Sequence, residues 1–167
     1  MTGQSLRRWL TRNQFPTAGG QLPEHTRYDA IVFTVSKADI PKWVMNVCKP
    51  SLVGFVESDQ SMSVAVELTD YAVRNGITVA GREHVTNPDD PAKSRLAVAQ
   101  VITLVRQQTD GIIAVDVTGG KTPMSIGAFM AAEEHAADTV YATAEYDSTG
   151  KPISNSIRLI PISQPAS

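Results

Sequence analysis

Residues 111–117 read GIIAVDV, apolar at six of seven positions. A strand with one face in water alternates apolar and polar residues, so a run that does not alternate has to be covered on both faces. That is the condition of a central strand in a parallel sheet. Parallel neighbours cannot be joined by a two-residue turn and need crossover segments, usually helices.

The rest of the chain supplies them. Residues 29–36 (DAIVFTVS) read as a strand, followed by a helix with Asp39 near its start, Pro41 in its first turn and Pro50 closing it. Residues 51–57 (SLVGFVE) form the next strand. The helix after it carries Val64, Leu68, Tyr71 and Ala72 on one face and ends at Asn75 and Gly76. Residues 77–80 are a short third strand. A polar loop through Asn87, Pro88, Asp89 and Asp90 leads to a helix from Pro91, in which Val98, Val101, Ile102 and Val105 repeat at helical spacing. After 111–117 and a turn, a helix carries Ile126, Phe129 and Met130. Strands at 139–145 and 156–162 then flank a turn at Ser148, Thr149 and Gly150. The expected fold is α/β: a Rossmann-like, mostly parallel sheet flanked by helices, with an antiparallel C-terminal edge hairpin.

At 167 residues the chain fits one domain. Residues 1–28, with Pro16, Gly19, Gly20 and Pro23, read as an N-terminal arm, and residues 29–167 as the folded body. No apolar stretch approaches the ~20 residues that cross a bilayer, so no membrane partner is expected. The lone Cys48 leaves no CxxC or Cys/His set for zinc, and the arm lacks the apolar core of a secretory signal. A cytoplasmic setting follows, with no metal and no cofactor expected. The arm holds Arg7, Arg8, Arg12 and Arg27 against Glu24, a charge of +3, which leaves −5 on the body out of a total of −2. An acidic body argues against a duplex nucleic-acid partner and requires any anion site to be local.

In an open parallel sheet, ligands bind beyond the carboxyl ends of the strands near the point where strand order reverses. Three loops qualify: Ser36-Lys37, Ser58-Asp59-Gln60-Ser61, and the segment Thr118-Gly119-Gly120-Lys121-Thr122-Pro123-Met124. The third combines two glycines, a helix start with unpaired N–H groups and a mobile ammonium, which together make an anion cradle suited to phosphate. The same residues would also make a plain tight turn with Lys121 in solvent, and spacing alone leaves both readings open. Neither GxxxxGK[ST] nor GxGxxG is present, which argues against a nucleoside triphosphatase and an ordinary dinucleotide oxidoreductase.

The segment from Asp116 to Ser125, DVTGGKTPMS, followed by Ala128, Ala131 and Ala132, resembles the signature of the CARF family, the CRISPR-associated Rossmann fold, usually Asp/Asn-x-Thr-Gly-Gly-Thr-Lys-x-Met. The likeness extends over residues 29–162 and includes the serine after the first strand, the serine-rich turn after the second, and Tyr141. Lysine and threonine are exchanged here, so either Lys121 or Thr122 would meet the ligand phosphates. The resemblance implies a twofold (C2) homodimer that binds a cyclic oligoadenylate of type III CRISPR immunity, usually the tetramer, across its axis. It also implies one of two activities. A ring nuclease would cleave the messenger through attack of a ribose 2′-hydroxyl without a metal, with Lys121 stabilising charge and Ser36 positioning the ribose or scissile phosphate, aided by Lys37. A non-catalytic sensor would act through a partner effector. The body fills most of the chain, so the effector usually fused to such a domain is expected to be missing. Outside the family, a generic nucleotide-binding Rossmann protein remains the alternative.

Other chemistry-bearing residues have plainer readings. His84 and His135 read as isolated surface residues, and His25 lies in the arm. Asp116 either orients Lys121 or caps the turn, Glu133 and Glu134 read as a solvated helix face, and Asp89-Asp90 as a helix start. Trp9, beside Arg7 and Arg8, belongs to a terminus expected to fray.

Overall fold

The structure, a computed structural model, describes residues 26–164. Strands β1 (Ala30–Thr34), β2 (Leu52–Ser58), β3 (Thr78–Val85), β4 (Ile113–Asp116), β5 (Asp138–Thr143) and β6 (Arg158–Ser163) form one sheet in the order β3-β2-β1-β4-β5-β6. All neighbours are parallel except β5 and β6, which are antiparallel. Helices α1 (Asp39–Cys48), α2 (Met62–Arg74), α3 (Pro91–Arg106) and α4 (Thr122–Glu134) cover it. Every residue of β1, β2 and β4 is buried, as their unbroken apolar runs require.

Alternation along β1 divides the core. Ile31 and Phe33 join Val44, Met45, Phe55, Leu68 and Ala72 under α1 and α2. Ala30 and Val32 join Val56, Val98, Val101, Ile102, Val115, Met124 and Ala128 under α3 and α4. Phe33 and Phe55 are paired in register and stack with centroids 5.9 Å apart. Burying a side chain of this size contributes roughly 1.5–3 kcal/mol. The arrangement is therefore doubly wound, and β1 and β4, adjacent but far apart in sequence, mark the switch point.

Helix ends follow their local chemistry. Asp90 accepts a hydrogen bond from the Ala92 amide at 2.9 Å and Pro91 opens α3. Lys49, at φ 46°, closes α1 before Pro50. The third strand runs to Val85 rather than stopping near Ala80, because β2 offers a partner along its whole length. Its charged Arg82, Glu83 and His84 are tolerated because β3 is an edge strand. Between β5 and β6 the chain turns at Ser148, Thr149 and Gly150, as expected, and the turn is closed by the antiparallel bridge Tyr146↔Pro152. Arg27 donates to the Val47 carbonyl at 2.8 Å and Tyr28 is buried, so both residues beside the arm boundary already belong to the packed body. His25, Trp9 and the arginines 7, 8 and 12 lie outside the described residues. Among the described residues, no helix is long and apolar enough to cross a membrane.

Candidate functional site

The turn from β4 into α4 is built by tethers between its own side chains and its neighbours. Asp116 Oδ1 accepts from the Thr118 amide at 2.8 Å and from the Thr118 hydroxyl. That hydroxyl in turn accepts from the Ala142 amide of β5 at 2.7 Å. Ser125 donates to the Val117 carbonyl at 2.8 Å, and Thr34 of β1 donates to the Gly119 carbonyl at 2.6 Å. The Thr118 side chain is thus committed to the turn. Asp116 caps the turn and does not orient Lys121, whose ammonium instead pairs with Asp89 at 3.1 Å.

Each glycine has its own cause. A Cβ on Gly119 would stand 2.2 Å from the Thr34 carbonyl oxygen and 3.0 Å from the Ser36 nitrogen, so the turn lies directly against the end of β1. Gly120 has φ 81°, the left-handed region that L side chains rarely adopt. Beneath it, Met124 is 1% exposed and fills the core with its side chain. What Met124 can offer a ligand is its amide. With Thr122 it supplies the first-turn donors of α4, because Pro123 has no N–H. Lys121 and Thr122 are both exposed at this helix start.

A cavity of about 210 Å³ opens at the switch point, lined by Thr34, Ser36, Lys37, Asp116, Thr118 and Gly119, with Asp39, Ile40 and Pro41 from the start of α1 and Tyr146 and Pro152 from the β5–β6 segment. The structure therefore brings the Ser36-Lys37 loop and the Thr118-Gly119 turn together. The loop after β2 stands apart from this lining. Ser61 Oγ accepts from the Ser58 amide at 3.0 Å and both serines are buried, while Asp59 and Gln60 are exposed and Asp59 pairs with His84 at 2.8 Å. His84 is consequently not isolated. Nor are Glu133 and Glu134 merely solvated: they engage Ser163 and Arg95. A larger hollow of about 500 Å³ lies at the amino ends of β2 and β3, lined by Lys49, Ser51, Tyr71 and Thr78 among others. It is at the wrong end of the sheet for a switch-point ligand, and the smaller cavity is the functional candidate.

Asp116 dominates the electrostatics there. Burial pushes its carboxyl up to about 6, against the lowering effect of the two Thr118 hydrogen bonds. Its second oxygen, Oδ2, is buried with no hydrogen-bond partner. Sequence reasoning missed Tyr146, Pro152 and this free oxygen. The first two lie in a segment without periodicity, and the third depends on which carboxylate oxygen the turn consumes.

No protein-family model matches the chain, and no curated protein matches it in sequence. Solved structures do match in fold. A type III CRISPR defence DNA nuclease activated by cyclic oligoadenylate aligns with TM-score 0.55 and 18% identity over 77% of this chain and 20% of its own. Can2 from Sulfobacillus thermosulfidooxidans, in complex with cyclic tetra-adenylate, gives 0.56 and 14% over 86% and 38%. Enterococcus italicus Csm6, bound to cyclic hexa-2′-fluoro-hexa-dAMP, gives 0.57 and 8% over 78% and 37%. The chain spans at most about two fifths of the length of these proteins. In fold, the chain is an α/β Rossmann-like domain, similar to part of each of these proteins.

Proposed function

We propose that the chain binds a cyclic oligoadenylate, the tetramer in the first instance, across the axis of a twofold homodimer and opens the ring. The observation that carries this reading is the switch-point cavity, which joins Ser36 and Lys37 to the Thr118-Gly119 turn; Lys121 lies outside its lining, two residues beyond Gly119 at the start of α4. Its support from outside is a fold shared with proteins activated by or bound to such rings.

Cleavage needs only positioning and charge stabilisation. The ribose 2′-oxygen bonds to the adjacent phosphorus as the bond from phosphorus to the 5′-oxygen breaks. The 2′-hydroxyl gives up its proton and the departing 5′-oxygen gains one, so the products are a 2′,3′-cyclic phosphate and a free 5′-hydroxyl. Lys121 and the Thr122 and Met124 amides stabilise the developing charge, while Ser36 and Lys37 position the ribose. The Lys121–Asp89 pair is exposed and contributes only ~0–1 kcal/mol, so a phosphate displaces the carboxylate readily. The same pair favours the second reading, a binding module that acts through a partner, since an ammonium that stays neutralised by Asp89 stabilises little additional charge.

The deciding experiment is incubation with cyclic tetra-adenylate in EDTA, with products separated chromatographically. Linear di-adenylate with a cyclic phosphate end is the expected product. A ring that survives for hours at excess protein while still binding tightly establishes the binding module. Failure to bind any ring size overturns the reading.

A further inference from the structure

Strand β3 is an edge strand of eight residues, Thr78–Val85, and among the described residues its only strand neighbour is β2. Its outer side therefore carries backbone N–H and C=O groups that another strand can take up. The helix beside that edge is apolar where it meets solvent. Met62, Val66 and Val73 of α2 are 46%, 48% and 64% exposed, and their spacing puts them on one side of the helix. Thr69, between them, commits its hydroxyl to the Ala65 carbonyl at 2.8 Å. Glu67 and Tyr71, which meet Lys42, mark the side of α2 turned to α1, and the buried Ala65, Leu68 and Ala72 mark the side on the sheet. At ~100° per residue the stripe falls on the side away from α1. Because α2 packs over β2 and β3, that side overhangs the β3 edge. The stripe runs about 16 Å along an edge of about 23 Å.

We propose that the β3 edge and the α2 stripe together dock one extended segment of a partner protein, added to the sheet as a further strand, apolar on its α2 side and basic on the other. The edge calls for a strand, since neither a helix nor a lipid chain offers N–H and C=O groups in such a row. Side-chain alternation gives the rest. Arg82 pairs in register with Phe55 of the α1/α2 core and shares its face, while Glu83 pairs with Val56 of the α3/α4 core and lies on the opposite face. Arg82 and His84 are already matched, by Glu57 at 2.6 Å and Asp59 at 2.8 Å, so neither is the uncompensated charge that blunts an edge. Glu83 has no ion-pair partner among the described residues and calls for a lysine or arginine on the incoming strand. A second copy of β3 does not meet this requirement. Twofold antiparallel registers centred on residue 82, 83 or 84 set Arg82, Glu83 or His84 against itself, and earlier centres run into the register shift at Ala80, which has no partner in β2. The docking site shares no residue with the lining of the switch-point cavity and stands apart from the ring-binding reading.

The probe is a short, C-amidated peptide in which valines alternate with lysines, fluorescein-labelled at its amino end; the comparison peptide holds the same residues in scrambled order. Fluorescence anisotropy should show saturable binding of the alternating peptide, roughly tenfold or more tighter than the scrambled one, because only alternation presents the valines on one face. The bound peptide should slow hydrogen exchange at the amides of Thr78–Val85. Val66→Asp and Val73→Asp, on exposed side chains, should each weaken binding by roughly fivefold or more while the melting temperature holds. Glu83→Lys should weaken the lysine peptide and favour one in which glutamates replace the lysines. Equal binding of the alternating and scrambled peptides, unchanged exchange along β3, or wild-type affinity in both valine variants overturns the docking site. A Glu83→Lys protein that keeps the preference for lysine overturns the basic partner strand. Light scattering that shows a dimer broken by Val66→Asp gives the edge to a second copy of the chain and overturns the proposal as well.

Discussion

Gly119→Ala is the substitution whose consequence follows most directly from the geometry. The added Cβ would lie 2.2 Å from the Thr34 carbonyl oxygen, a distance real Cβ atoms do not adopt, and the opposing atom is backbone that no side-chain rotation can move. Relief requires the turn and the end of β1 to part by roughly 1 Å. That displacement strains the bond from Thr34 Oγ1 to the Gly119 carbonyl, 2.6 Å long. Overpacking of this sort costs about 1–3 kcal/mol, and the hydrogen bond adds about 1. At roughly 2–4 °C per kcal/mol for a chain of this size, the melting temperature should fall by roughly 5–15 °C. Because the cavity is lined from both sides of that contact, ring affinity should fall with it. Differential scanning fluorimetry, with Gly76→Ala as reference, checks the claim. Gly76 has φ 73° and open space around it, so its variant carries backbone strain without collision. A Gly119→Ala protein that melts within 2 °C of the wild type and binds the ring unchanged would refute the close approach of β1 to the turn.

Four further outcomes are expected. Asp116 has its folded-state pKa raised to about 6 from an ordinary 3.8, so its protonated form favours folding at low pH and its ionised form opposes folding as pH rises through 6. Asp116→Asn should therefore melt above the wild type at pH 8, by an amount on the order of 2 kcal/mol, with the gap closing towards pH 4. Lys37 and Asp39 line the same cavity, and the Cys48 thiol, pushed up to about 11 by burial, stays neutral throughout that window; a gap that is constant with pH would contradict the assignment. Lys121→Ala should slow ring opening at least tenfold with little change in melting temperature, and an unchanged single-turnover rate would remove Lys121 from the chemistry. Thr118→Val leaves the Ala142 amide without its acceptor and should cost roughly 1–3 kcal/mol by denaturant titration. Asp90→Ala should cost about 1 kcal/mol through loss of the α3 cap, and no change in midpoint would show the cap to be idle.

Much of the fold was legible because its determinants are local. Unbroken apolar runs identified β1, β2 and β4, and proline and glycine positions bounded α1, α2 and α3. Strand β3 was under-read because Arg82, Glu83 and His84 carry no apolar signal; pairing with β2 extends it, which is a tertiary cause. The Thr118–Met124 turn was recognisable from its glycines and its lysine. Their division of labour was not. Gly119 answers to β1 and Gly120 to its own φ, while Thr118 is consumed by Asp116 and Ala142. Tyr146 and Pro152 reach the cavity through a bridge within an irregular segment, and no periodicity marks such a contact. The serine-rich loop after β2 looked like ligand-binding sequence, and in the structure its serines bond within their own turn.

The central claim is that one ring of adenylates is held at this turn by two copies of the chain. Isothermal titration of cyclic tetra-adenylate into the protein tests it most directly. The account predicts saturable binding with one ring per two chains, weakened by Lys121→Ala. A titration showing no binding of cyclic tetra-adenylate or of any other ring size, with the protein folded, would contradict it.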